Sequence, residues 1–327
     1  MNFSFQKQPP MRKVILALLP IVILSIYFYG WYVLFVDLLS IFTVVVTEWL
    51  FVKNKKNGKI SEAAVVTGLL LALTLPPTIP SFIVVIASSF AIVFGKMAFG
   101  GFGFNIFNPA LVGRAFVYIA FPSYLTNRWM AAADFKNFPG GFAFWHYLPE
   151  GSSITSATPL IAFREGASNL NILDKLLLGN INGSFQNLGS TIGLGGGSIG
   201  ESSAILIIIA GLYLIIKKIA NWKPVVAFLG SYFVFNFIFH IVSPLKVPDP
   251  LFGILSGGIL FGAFFMITDP VSLARTTIGQ GIYGIFVGFF TFLIRFYSLF
   301  PDGVMFAILL GNMFNPLVDY IVNSLKK

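Results

Sequence analysis

The feature that most constrains this chain is a succession of apolar segments, each about as long as a lipid bilayer is thick. A helix rises about 1.5 Å per residue, so about 20 apolar residues cross the hydrocarbon layer. With 57% hydrophobic and 10% charged residues, a soluble domain is excluded, because no single core could bury so much apolar surface. The sequence predicts an all-α integral membrane protein with about ten transmembrane helices. We place them near residues 14–29, 31–52, 63–75, 81–99, 107–122, 203–217, 223–242, 250–267, 281–298 and 304–324.

These helices divide the chain into three parts. Residues 1–122 and 203–327 each hold five helices, and the connection 123–202 is too rich in Gly, Asn and Ser to cross the membrane. The pattern Asn-x-Phe-Asn-Pro occurs once in each half, at 105–109 and at 312–316. We therefore predict two five-helix inverted repeats, with the echoed motifs near the two ends of a pseudo-symmetric core.

Two helices of the first half are short. The segment 63–75 is flanked by Pro76-Pro77, and the segment 107–122 is interrupted by Pro109 near its start. Short or broken helices are tolerated at membrane depth only where they line protein or a cavity. The sequence therefore predicts broken or short helices near the middle of the bundle, which line either protein or a cavity.

The distribution of basic residues predicts the orientation of the helices. With a cytoplasmic N-terminus, 14 of the 21 Lys and Arg residues, Lys96 among them, face the cytoplasm, and five face out. Because cytoplasmic loops of membrane proteins are rich in Lys and Arg, we expect both termini in the cytoplasm and a multi-pass protein of the bacterial inner membrane. The net charge of +9 follows this topology and does not indicate a nucleic-acid partner.

Cysteine is absent and there are only two histidines. The chain therefore supplies no iron–sulfur cluster, no disulfide and no His-rich metal site. Any redox chemistry in this chain must use an organic cofactor.

One hydroxyl-dense run, Gly151 to Leu160, stands out in the long connection. Ser, Thr and Gly favour local side-chain to backbone hydrogen bonds, and Pro159 pushes Thr158 towards an extended conformation. The Thr158 hydroxyl should therefore stand clear of regular structure, where a modifying enzyme could esterify it. The alternative at this point is that these are ordinary turn residues.

Ionisable side chains inside a membrane are costly and are functional candidates by default. For Arg114 and Arg295 we favour the interpretation that they pair with nearby acids in a structural role. Glu48 and Asp319 lie near cytoplasmic ends of helices, where a carboxylate can bind a hard cation from solution. Phe261 and Phe265 share one helix face and could close a pore by excluding water, although such a pair is more often packing. The ionisable residues at the predicted helices are Asp37, Glu48, Arg114, Asp269, Arg295 and Asp319.

Five motifs occur along the chain in a fixed order and spacing. They are Gly100 to Leu111, Thr155 to Leu160, Gly200 to Ser203, Thr268 to Ser272 and Pro301 to Gly303. With these motifs, the sequence resembles the family that holds the D subunit of the Rnf ferredoxin:NAD⁺ oxidoreductase and the B subunit of the sodium-translocating NADH:quinone oxidoreductase. The resemblance extends from about residue 10 to residue 323.

The resemblance implies roles for several residues. Thr158, in a Ser156-Ala157-Thr158 context, matches the threonine that bears FMN through a phosphoester, although Ser152 replaces an acidic residue that the family often has there. Asn105 and Asn108 match asparagines associated with a second, non-covalent flavin such as riboflavin. Phe261 and Phe265 match an ion constriction. The carboxylates that match cation-uptake groups are Glu48, Asp269 and Asp319.

The resemblance also implies a function. The chain is expected to be a translocase subunit, not catalytic alone, of a six-subunit, redox-driven sodium or proton pump, matured by a flavin transferase. The lack of a long N-terminal extension favours the Rnf complex, whereas residues 108–116 are closer to the quinone reductase, so both stay open. The alternatives of another class are a solute channel or permease without a cofactor and a structural membrane anchor.

Overall fold

The computed structural model of the chain describes residues 5–55, 58–126, 128–147, 157–166, 172–187, 190–298, 300 and 302–325. Ser152 and Ser156 lie outside the described residues. Six described helices are long and apolar enough to cross a membrane, and three shorter helices are also apolar. These nine helices and one broken helix correspond to the ten predicted segments, so the prediction of an all-α integral membrane protein is confirmed.

The first half contains five helices and a pair of very short parallel strands. Helices α3 and α5 have 12 residues each, about 18 Å, so neither crosses the hydrocarbon layer alone. Helix α5 begins where Asn108 caps its first turn and Pro109 takes its first position. The elements are β1 (Phe5–Gln6), α1 (Pro9–Tyr29), α2 (Tyr32–Val52), β2 (Ile60–Ser61), α3 (Glu62–Leu73), α4 (Ser81–Gly95) and α5 (Pro109–Ala120).

The connection between the halves contains no spanning helix in the part that the structure describes. It packs on the end of α1, where the Tyr27 ring stacks on Phe135 at 5.6 Å between centroids and the Trp31 indole N–H donates to the Phe142 carbonyl at 2.8 Å. Aromatic residues therefore order this segment. Its elements are α6 (Pro122–Thr126), α7 (Pro159–Arg164), α8 (Leu173–Leu178), β3 (Ser184–Asn187) and β4 (Ser190–Gly193), the two strands forming an antiparallel hairpin.

The second half differs from the prediction at its third helix. The sequence predicts one helix over 250–267, but the chain leaves helical geometry at Ser256 and Gly257, where Gly257 has φ +66°, a conformation that glycine adopts most easily. The helix resumes at Ile259 and ends in a π-helical turn, Gly262–Met266. The elements are α9 (Ala204–Ile216), α10 (Trp222–Val242), α11 (Pro250–Leu255), α12 (Ile259–Phe261), α13 (Thr277–Tyr297) and α14 (Val304–Ser324).

The two halves repeat one packing scheme. In each, the second helix packs against the third and fourth elements, and the fourth packs against the fifth. Across the halves, α1 packs on α9 and α5 packs on α14, so equivalent helices meet each other, as a two-fold relation requires.

The placement predicted for the echoed Asn-Pro motifs is wrong. The motif ends at the first residue of α5 in the first half but lies inside α14 in the second, where Pro316 is within the helix. The two motifs consequently meet instead of marking opposite ends, and the Asn108 backbone N–H donates to Asn312 Oδ1 at 3.3 Å.

Candidate functional site

The broken helix α11–α12 lies at the centre of the candidate site. We call the side of the long connection outer and the side of the two termini inner. The break on the outer side is held by a buried arginine. Arg295 donates from Nη1 to the Gly253 carbonyl at 2.7 Å and from Nη2 to the Ser256 carbonyl at 3.0 Å. These are carbonyls that the break deprives of helical partners. The second Nη atom also lies 3.8 Å from a carboxylate oxygen of Asp302. Arg295 is therefore a structural residue, as its sequence context predicts.

The inner end of the broken helix is held by side-chain amides. Asn108 donates from Nδ2 to the Met266 carbonyl at 3.4 Å, and its Oδ1 accepts from two backbone N–H groups of α5. Asn312 and Asn315 both donate to the Ser272 carbonyl, at 3.3 and 2.7 Å. The two Asn-Pro motifs thus clamp the segment that follows the π-helical turn.

The two phenylalanines predicted to close a pore lie between these polar ends. Phe261 and Phe265 are buried, with ring centroids 5.1 Å apart. Phe265 lines an inner cavity, whereas a Cβ atom added at Gly200, on the other side, would lie 3.2 Å from the Phe261 ring. The ring pair therefore separates an inner cavity from the groups around Gly200. Its role as a gate stays a prediction.

The inner cavity has a volume of about 550 Å³, which lies within the range of small-molecule sites. Its walls bring together four residues that the sequence singles out. Asn105, whose Nδ2 donates to the Phe107 carbonyl at 3.1 Å, is one of them. The four are Asn105, Asn108, Phe265 and Asp269.

Glu48 lies behind the wall of this cavity, in a buried ion pair. Its Oε2 lies 2.6 Å from Lys96 Nζ, and the two side chains are 3% and 2% exposed. Lys96 also donates to the Ser61 hydroxyl at 2.5 Å and itself lines the cavity. Lys96 therefore lies at the end of α4 without reaching bulk solvent, because the Glu48 carboxylate compensates the charge and allows it to be buried.

The other two candidate carboxylates have separate settings. Asp269 lines the cavity and accepts from the Ser272 hydroxyl at 2.9 Å. Asp319 accepts from the Arg275 and Thr276 backbone N–H groups, at 2.7 and 2.9 Å, and thereby fixes the start of α13. Among the residues that the structure describes, no three Asp, Glu or His side chains gather as metal ligands. The structure brings Asp269, but not Asp319, to the cavity.

Thr158 lies at a small cleft on the other side of the ring pair. It caps α7, where its Oγ1 accepts from the Ile161 backbone N–H at 3.4 Å, and it is half-buried. The cleft has a volume of about 40 Å³, so it cannot enclose a ring system. Its polar walls include Arg114, Ser198, Glu201 and Asp302.

The polar residues of this cleft form an ion-pair cluster around Arg114. Arg114 Nη2 lies 3.0 Å from Asp302 Oδ2, and Nη1 lies 3.5 Å from Glu201 Oε1. Burial, with the Asp302 carboxylate nearby, raises the pKa of Glu201 to about 7. Sequence reasoning predicts the pairing of Arg114 but assigns no role to Glu201 or Asp302. The available signal is that each acid lies just outside an apolar run, in a motif that carries the resemblance.

Comparison with known proteins agrees with this architecture. The model of the NQR2, RnfD, RnfE family matches residues 4–326. The chain belongs to this family. It is 34% identical over 334 residues to the D subunit of the ion-translocating oxidoreductase complex of Aliivibrio salmonicida (strain LFI1238), covering 96% of this chain and 92% of that protein.

Two other relatives in the NQR2, RnfD, RnfE family carry names that specify an ion. The D subunit of the proton-translocating ferredoxin:NAD(+) oxidoreductase complex of Clostridium ljungdahlii is 36% identical, covering 97% of this chain and 90% of that protein. The D subunit of the Na(+)-translocating ferredoxin:NAD(+) oxidoreductase complex of Acetobacterium woodii is 35% identical, covering 97% and 92%. The names of the relatives thus include both ions.

Proposed function

We propose that this chain is the membrane subunit, of the RnfD type, of a redox-driven sodium or proton pump in the bacterial inner membrane. One observation carries the proposal: in a chain of this family, a broken helix with two phenylalanine rings in contact separates the Thr158 cleft from a ligand-sized inner cavity. The other subunits of a six-subunit oxidoreductase complex would supply the electron donor and acceptor. The relatives named as D subunits favour the Rnf complex over the quinone reductase.

Thr158 is proposed to carry FMN through a phosphoester that a flavin transferase forms. Among the described residues, its half-buried hydroxyl accepts one long hydrogen bond, which leaves the oxygen open to substitution. The ester would be anionic, and the cleft beside it contains the Arg114 guanidinium. When bound, FMN supplies one- and two-electron transfer, while the chain supplies position and charge.

The inner cavity is proposed to hold a second flavin without a covalent bond. Its volume of about 550 Å³ suits such a ligand. Asn105 and Asn108 offer amide groups, which can bind a polar ring edge without adding charge. Asn108 also has a structural task at the Met266 carbonyl, so Asn105 is the freer of the two.

The proposed ion path runs from the inner cavity past the rings to the Thr158 cleft. Asp269 would bind the cation at the cavity. Phe261 and Phe265 would oppose its passage, because stripping water from an ion is costly. Arg114, Glu201 and Asp302 would set the charge on the outer side, next to the site proposed for FMN.

The first experiment tests the FMN site in the purified complex. A Thr158→Ala variant should lose the ultraviolet fluorescence of the denatured protein on a gel, because no hydroxyl remains to esterify. Thr126→Ala removes another hydroxyl of the same connection and should keep the fluorescence. A flavin-adduct peptide recovered from the Thr158→Ala protein would refute the assignment.

The second experiment tests the inner cavity. Replacing both Asn105 and Asn108 by Leu should remove extractable flavin and keep the fluorescent Thr158 adduct. Asn236→Leu changes a buried asparagine that lies outside the cavity lining and should keep both flavins. If the double variant kept its extractable flavin, the flavin-binding role would be refuted, and the two residues would have only a structural role in capping the helix.

A further inference from the structure

The buried face of α2 carries a line of polar side chains through the first half. The buried positions recur every three or four residues, which places them on one helix face. This face packs against α3 and α4. Its polar members, from the outer to the inner end, are Asp37, Ser40, Thr43, Thr47 and Glu48. Asp37 and Glu48 are 11 positions apart in the sequence, so the line extends over about 16 Å, roughly half of the hydrocarbon layer.

Asp37 is the unexplained member of this line. It is 2% exposed, and neither carboxylate oxygen has a hydrogen-bond partner among the described residues. An ionised carboxylate without a partner is very costly in an apolar interior, so such a group takes up a proton instead. Val33 and Val36 lie on the same face, where an apolar side chain packs at lower cost. The physical expectation for Asp37 is therefore the neutral carboxylic acid.

No ion pair among the described residues stabilises an ionised Asp37. Among the described residues, the ionisable groups of the helices packed against α2 lie towards the ends of those helices. None of them forms an ion pair with Asp37. These groups are Arg12, Lys13, Tyr27 and Tyr29 of α1, Glu62 of α3 and Lys96 at the end of α4.

Hydroxyl groups continue from Asp37 towards the cytoplasmic end. One helical turn on, Ser40 donates to the Gly68 carbonyl at 2.8 Å and its oxygen lies 2.9 Å from that of Ser88. Thr43 and Thr47 occupy the next turns, and Thr47 donates to the Thr43 carbonyl at 2.7 Å. Among the described hydroxyls of this line, Ser40 and Ser88 are the pair within hydrogen-bond distance of each other. A hydroxyl both donates and accepts, so a proton would pass the other steps by rotation of the side chains or through intervening water.

The line ends at the buried ion pair. Glu48 accepts from the Ser61 backbone N–H at 3.1 Å and from Lys96 Nζ at 2.6 Å. Since Lys96 lines the inner cavity, the inner end of the line reaches a space that water can enter. The outer end, at Asp37, is enclosed by apolar residues of the core such as Val33 and Val36.

We propose that Asp37 is an intramembrane proton-binding site, supplied from the cytoplasmic side along the hydroxyl groups of α2 and α4. This path lies in the first half and does not pass Phe261 or Phe265. It gives the subunit a place to hold a proton whichever ion crosses at the rings. A lone carboxyl that binds a proton and a line of hydroxyls that conveys it are the parts of a proton relay.

The test uses infrared spectra of the purified complex at neutral pH. The carbonyl stretch of a protonated carboxyl should disappear in Asp37→Asn and shift in Asp37→Glu. After transfer to D₂O, the band should shift as the acid proton exchanges. The double variant Ser40→Ala/Ser88→Ala should keep the band but slow its exchange. Thr291→Val removes a buried hydroxyl of α13 that has no hydrogen-bond partner in the described part of the chain, and it should leave both the band and its exchange unchanged.

Two results would overturn the proposal. One is the absence of any acid band that responds to substitution of Asp37. The other is exchange that is equally fast in the wild type and in the double variant. If Asp37→Asn does not assemble, the shift in Asp37→Glu alone assigns the band. Fluorescence of the covalent flavin in the same samples reports the Thr158 site separately, so the two proposals fail independently.

Discussion

Removing Lys96 should destabilise the protein more than almost any other single change of a charged residue. Lys96→Met deletes the ammonium group 2.6 Å from Glu48 Oε2 and leaves that carboxylate 3% exposed. A buried charge that loses its partner costs about 3–5 kcal/mol of stability. Replacing both partners by uncharged residues is often neutral, so Lys96→Met combined with Glu48→Gln should recover most of the loss.

Thermal unfolding of the purified complex, followed by loss of its monodisperse peak, measures this effect. The single variant should lower the midpoint by roughly 10 °C, and the double variant should lie close to the wild type. Arg12→Met provides a matched control, because Arg12 pairs with Glu62 while 57% exposed and should change the midpoint little. A single variant as stable as the wild type, or a double variant as unstable as the single one, would refute the reasoning.

Three further outcomes are expected. A Lys136→Cys variant, exposed in the long connection, should react with an impermeant thiol reagent in intact cells, whereas a Lys55→Cys variant should react only in inverted vesicles. The reverse pattern would overturn the predicted orientation. Double replacement of Phe261 and Phe265 by Ala should make proteoliposomes leaky to the cation while electron transfer continues. An unchanged ratio of ions pumped per electron would show that the two rings only pack the core. Because the pKa of Glu201 is raised from 4.5 to about 7, its contribution to thermal stability is full below about pH 4.5 and is lost as the pH rises through 7, a trend that Glu201→Gln should remove.

The sequence predicts the long helices well because length and apolarity alone determine them. It does not predict the break at Gly257. The residues on either side, Ile254-Leu255 and Ile259-Leu260, keep the segment apolar on average, and Arg295, which compensates the break, comes 38 positions later. A local stretch of sequence shows how apolar a segment is, but it does not show which distant donor will hydrogen-bond to a backbone carbonyl.

The candidate site is predictable in its members but not in its assembly. Asn105 and Asp269 are recognisable as polar groups beside apolar runs, yet only the fold shows that they line one cavity. Burial of Lys96 could not be inferred either, since the last residue of an apolar run normally reaches water. Its partner Glu48 lies on α2, which packs beside α4.

In the proposed ion path, the short segment Ile259–Met266 would also set where the membrane voltage acts. It has eight residues, about 12 Å of helix, with the inner cavity at one end and the Thr158 cleft at the other. If water fills both spaces, the potential falls mainly across this layer and not across the full ~30 Å of hydrocarbon. A monovalent cation moving against 100 mV needs about 2.3 kcal/mol, and it would need nearly all of that work while passing Phe261 and Phe265.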